Sequence, residues 1–178
     1  MQRFFQDALL PTPAPVVLGR QLRPLGLGHV FVLATLHHPL LFGGPLAPPR
    51  VIEAVHVCSH AWPVPLVGLA ADKSVRELTR AASRGMTARK WLAQVAAIQA
   101  YTEAAVATPE QWRKDNRQYE QRVPWPLRLA ASLVMAGIAT RADVWDMPLA
   151  EAVAWNLARR ENEGDQSVLS DREIEAAS

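Results

Sequence analysis

Apolar residues recur along much of this chain at steps of three and four, the period of helices that bury one face. Over residues 50–62, Val51, Val55, Cys58 and Trp62 fall on one narrow stripe, which predicts a helix packed on a core. Thr87 can cap a long helix to about residue 107, in which Trp91, Val95, Ile98 and Ala105 share a face. Residues 127–139, with Leu129, Leu133, Val134, Met135 and Ile138, predict a helix buried on more than one side.

Punctuation residues supply the remaining elements. A helix over 25–38 tolerates Gly26 and Gly28, ends at Pro39, and is followed by an irregular loop to Pro49. Ser74 and Glu77 stand in capping-box spacing ahead of a short helix over 75–84, which closes at Gly85. Thr108-Pro109-Glu110-Gln111 starts a polar helix to about residue 121 by the same cap logic. Asp146 can cap, Pro148 suits a first turn and Gly164 stops the helix between them. Ser170-Asp171-Arg172-Glu173 caps a terminal turn, and the residues between Val16 and Pro24 predict a small hairpin turning at Gly19.

These elements make a mainly α chain, a compact bundle of about seven or eight short helices with a small N-terminal β-hairpin. The expected organisation is one helical domain over 1–178: an arm or hairpin at 1–24, a helical core at 25–163 and a tail with a short helix at 164–178. The 14 prolines fit this plan because most of them cluster at the joints between helices.

With 49% apolar and 20% charged residues, the chain has the composition of a folded protein. Its single cysteine, Cys58, rules out an internal disulfide and suits a reducing compartment. The first ten residues lack the order of a secretory signal, and the apolar run at 30–36 falls far short of the roughly 20 residues a membrane helix needs. A soluble protein is expected, with no membrane partner.

The net charge of +2 is unevenly spread. Residues 1–71 hold 4 basic and 2 acidic groups, residues 72–120 hold 9 and 6, and residues 121–178 hold 6 and 9. Such a mild dipole suits self-association or the orientation of a partner and is weak as a nucleic-acid footprint.

Candidate chemistry is sparse. Glu53, His56 and His60 share the helix face opposite Val51 and Cys58, a spacing that can chelate a metal; a solvated face is the plainer reading. Glu53-x-x-His56 is half of a di-iron carboxylate motif whose second half is missing. Cys58 diverges from both histidines and reads as a buried small hydrophobe, while His37-His38 reads as a helix C-terminus. Gly26-x-Gly28 and Gly43-Gly44 lack the context of a phosphate loop. No catalytic residues and no cofactor are expected.

Two surfaces remain. Lys73, Arg76, Arg80 and Arg84 fall within about 80° of one helical wheel, opposite Val75, Leu78 and Ala82. The row is either a solvated face or a dock for an acidic partner, the acidic third of another copy included. In the helix after Pro148, Leu149, Val153 and Leu157 form a core face with Ala150 and Ala154 beside it. Trp155 projects about 200° from Val153, so either the tail with Val168 and Leu169 folds over it or it anchors a partner.

The run Val144-Trp145-Asp146-Met147-Pro148-Leu149, its helix with Trp155 and the acidic end at Glu161, Glu163 and Gly164 resemble a segment of small tail-assembly proteins of tailed bacteriophages and prophages. The early run from Val17 through Arg20, Pro24, Gly26 and Gly28 to His29 is similar to their beginning, a short strand feeding a helix. The resemblance implies a non-enzymatic tail-assembly chaperone that binds the tape-measure protein in the cytoplasm of the bacterial host. The Pro-rich region from Pro39 to Pro65 departs from that family.

The partner expected is the tape-measure protein or another phage tail protein, with a homo-oligomer as a further candidate and no nucleic acid. The partner-binding candidates are Arg76, Arg80, Arg84 and Trp155. Two alternatives stand beside this reading. One is a structural virion protein, such as a connector or tail-completion component, retained in the particle; the other is a metal-binding helical enzyme built on Glu53, His56 and His60.

Overall fold

The structure is a computed structural model that describes residues 14–64, 72–106, 111–113, 123–164 and 166–168, with the strands at 111–113 and 166–168 described by their backbone. It is mostly helical, as the periodicity predicts. Strands β1 (Val16–Val17) and β2 (Arg20–Gln21) form the N-terminal hairpin, with Val16 opposite Gln21 and Val17 opposite Arg20. Both residues between them have positive φ, Leu18 at 49° and Gly19 at 74°, the backbone of a two-residue hairpin turn. Glycine adopts this freely; Leu18 is held there because its side chain is buried and its N–H donates to Gln94 Oε1 at 2.7 Å.

Helix α1 (Leu27–Thr35) is shorter than its sequence predicts. His37 turns the chain out of the helix at φ 47°, and Pro39 begins a second helix, α2 (Pro39–Phe42), where a loop is expected. His38 caps α2, its Nδ1 accepting from Leu40 N at 3.2 Å, so it belongs to the start of α2 and not to the end of α1.

Helix α3 (Pro48–Ser59) is the centre of the core. Val51, Val55 and Cys58 are buried as predicted, but so are Ile52, Ala54, His56 and Val57, so the helix is enclosed on nearly every side. Part of the enclosure comes from α4 (Lys73–Ser83), capped by Asp72, whose carboxylate accepts from Ser74 N at 2.7 Å. Ser74 is therefore not the cap: its hydroxyl is turned to His56.

Helix α5 (Ala88–Val106) follows, with Thr87 Oγ1 accepting from Lys90 N at 3.3 Å. Ile98 and Thr102 are buried along its inner face, flanked by half-buried Trp91, Val95 and Ala105. The helix expected to about residue 121 is contradicted at Gln111–Arg113, which are strand β3, paired antiparallel with β4 (Gln166–Val168). The pairing supplies backbone partners from far along the chain that a local cap motif cannot anticipate. The rest of that expected helix, the expected terminal turn at 170–173 and Leu169 lie outside the described residues.

Helices α6 (Trp125–Met135) and α7 (Leu149–Asn162) pack together, with Ser132 Oγ donating to Asn156 Oδ1 at 3.0 Å. A 3-10 turn, Asp143–Trp145, precedes α7. Helix α6 is not buried on several sides: Pro126, Ala130 and Leu133 face inward, whereas Leu127 and Met135 are exposed. The entry to α7 is sewn to the entry of α1, because Leu27 N donates to Met147 O (3.0 Å), Leu149 N donates to Leu25 O (2.7 Å), and Gly26 and Pro148 form an antiparallel bridge. No helix among the described residues is long and apolar enough to cross a membrane.

Candidate functional site

Glu53, His56 and His60 all lie in or just after α3; the His56 and His60 rings meet, their centroids 4.4 Å apart, but Glu53 does not join them. His56 is fully buried, with Nδ1 2.7 Å from Ser74 Oγ, because α4 packs over the face that the isolated helix would leave to solvent. Ser74, donating from both its hydroxyl and its backbone N–H, holds the Asp72 carboxyl below the usual carboxylate value. His60, one residue past the helix, turns its Nδ1 back to His56 O at 2.7 Å.

Glu53 points the other way. Its carboxylate accepts from Arg50 Nη1 at 2.7 Å and lies 3.9 Å from His38 Nε2. Among the described residues no three His, Cys, Asp or Glu side chains are grouped to hold a metal ion.

His38 and His29 are the other buried imidazoles, and each has both nitrogens committed. His38 Nδ1 accepts from Leu40 N, so Nε2 carries the proton and donates to Arg50 O at 2.9 Å. His29 Nδ1 accepts from Gly26 N at 3.0 Å, and Nε2 donates to His60 O at 2.8 Å. Burial lowers the pKa of both rings, outweighing the carbonyls that each would hold more tightly as a cation. They are structural clips, His29 joining α1 to the end of α3 and His38 joining α2 to its start.

Cys58 is a core residue. Burial pushes its thiol up to about 12, which leaves essentially no thiolate for chemistry at neutral pH. Tyr101 of α5 hydrogen-bonds beside it, its hydroxyl also donating to Arg23 O at 2.7 Å, and burial raises the phenol in turn.

The surfaces predicted from sequence are where the wheels put them. Lys73, Arg76, Arg80 and Arg84 are all exposed along the outer side of α4, with Leu78 buried beneath. Trp155 is 45% exposed on α7, its Nε1 3.4 Å from Glu151 Oε1, while Leu149, Ala152, Ala154 and Leu157 of the same helix are buried. Val153 is half-buried against the core. On neighbouring α6, Leu127, Ala131 and Met135 follow at steps of four, all exposed, Met135 at 88%. Together they form an exposed apolar strip on this helix.

One constellation escapes sequence reasoning. Trp62 stacks on Trp145 (centroids 5.2 Å apart, 25° between planes), and Phe31 meets Trp145 at 5.5 Å. Asp146 does not cap its own helix; it accepts from Trp62 N at 3.1 Å, which fastens the end of the α3 segment to the α7 entry. Gly28 is the floor of this stack and no part of a phosphate loop. The signal available in sequence was a glycine within a helix that no cap or turn explains. Comparison with protein families, with curated proteins and with solved structures finds no match for the chain.

Proposed function

We propose that this protein is a non-enzymatic binding protein of the tail-assembly chaperone kind, which covers an apolar helical stretch of a tape-measure protein in the bacterial host cytoplasm and keeps it from aggregating. The observation that carries the reading is the exposure of Trp155 on a helix whose leucines, Leu149 and Leu157, are buried. Leu127 and Met135 on the adjoining α6 add apolar surface of the same character. Trp and Met are over-used at partner-binding surfaces, the first as a rigid anchor and the second as an adaptable one. The resemblance of residues 144–164 to tail-assembly proteins falls on this same helix and its entry.

The test is co-expression of the chain with a tape-measure protein encoded beside it. Co-purification, with a soluble tape-measure protein only when the chain is present and loss of the complex in Trp155→Ala, supports the proposal. Retention of the chain in mature particles as a defined ring would replace it with the virion-component reading. A tape-measure protein that stays soluble alone and ignores the chain would end it.

A further inference from the structure

The outer face of α4 carries Lys73, Arg76 and Arg80, and Arg84 at the C-cap continues them, at steps of 3, 4 and 4. Those steps cover three helical turns in eleven residues, so the ends of the row differ by only about 20° over about 16 Å of axis, within a band about 80° wide. All four residues are exposed, and none has a carboxylate within ion-pair distance among the described residues. The carboxylate on the same helix that borders the row, Glu77, is taken by Arg20 of β2.

The arrangement is unfavourable to α4 alone. Like charges three and four residues apart repel, and Lys73 and Arg76 stand in the first turn, where the helix dipole opposes cations. Asp72 at the N-cap offsets them in part, but its carboxylate is engaged by Ser74, and the first turn itself holds no acidic residue. Only Arg80 and Arg84, at the far end, suit the dipole.

We infer that this row is a docking surface for an acidic helix of a partner protein, one whose carboxylates repeat at steps of three and four along one side. A row this straight stays in register with a neighbouring helix through all three turns, as charged flanks do in paired helices. A nucleic acid fits less well. Helix α4 has no aromatic side chain on which a base could stack, and the hydroxyls of Thr79 and Ser83 are spent on Val75 O (2.8 Å) and Arg80 O (3.1 Å). The inference does not rest on the tail-chaperone reading, which concerns α6 and α7.

The probe is a fluorescein-labelled, alanine-rich helical peptide with glutamates at the row's own spacing. It is compared by anisotropy with a composition-matched peptide whose glutamates are spread around the helix, and with a duplex DNA oligonucleotide. The full chain should bind the spaced peptide on the order of tenfold more tightly than the spread one, with affinity falling as salt rises. Arg76→Ala with Arg80→Ala should abolish that preference at an unchanged melting temperature, Lys73→Gln should weaken it in smaller measure, and Trp155→Ala should leave it intact. Equal binding of the two peptides, tighter binding of DNA, indifference to the arginine changes, or no binding of the spaced peptide would each overturn the inference.

Discussion

The edge of the Trp62 indole occupies the place where Gly28 would carry a side chain: a Cβ built there would lie 2.3 Å from Cε3 and 2.8 Å from Cδ2. Trp145 stacks on the ring, Asp146 holds its backbone, and Trp145 O stands 3.0 Å from the same Cβ position. Helix propensity alone makes alanine better than glycine by about 1 kcal/mol inside a helix. Overpacking costs about 1–3 kcal/mol or more. Gly28→Ala should therefore lower the urea midpoint, and a raised midpoint would show that the Trp62 stack is loose.

His29 and His38 predict a decline of stability in acid. Both rings are neutral in the fold and have pKa values below the ordinary 6.5, so below that pH the unfolded chain binds protons that the folded chain does not. Stability is retained above about 6.5 and lost as pH falls towards the folded values, by at most about 1.4 kcal/mol per pH unit for each ring. Urea titrations between pH 8 and 5, run on the parent and on His38→Gln, should show a shallower acid slope in the variant.

Cys58 should be silent towards thiol reagents. With the thiol buried and its pKa near 12, the native protein at pH 8 should react with a disulfide dye only as fast as it opens, whereas urea-unfolded protein should react at once. Rapid stoichiometric labelling of the native state would contradict the packing of α3 against Tyr101.

Trp155 and Leu157, two residues apart on α7, should respond oppositely to truncation. Trp155→Ala removes a half-exposed ring and should change stability by no more than about 0.5 kcal/mol. Leu157→Ala empties a buried site, and its cost should fall in the range of about 2–5 kcal/mol. Thermal melts of the two variants decide whether Trp155 is surface or core.

What could be read from the sequence was what depends on one element at a time. The turn at Gly19, the inner face of α5 and the outward Trp155 all follow from local period and backbone freedom. What could not be read depends on two distant elements meeting. A wheel drawn for α3 alone sends His56 to solvent, and only the arrival of α4 buries it against Ser74. The same limit hid the pairing of 111–113 with 166–168, which replaced an expected helix, and the choice of Asp146 to hold Trp62. For the basic row, exposure was predictable from its own helix; for Trp155 the wheel gave only its direction, and the exposed Leu127 and Met135 run against the burial expected of α6. The partners of these surfaces were not predictable, because complementarity is a property of two molecules.

The bridge between Gly26 and Pro148 also sets the order in which the molecule can be completed. Its two strands of backbone are separated by about 120 residues, so the start of α1 has its Leu27 and Leu25 partners only once Met147 and Leu149 have been synthesised. Until then Trp62 has neither Trp145 to lie on nor Asp146 to hold it. A nascent chain that has reached α6 is thus still a fold without its clasp.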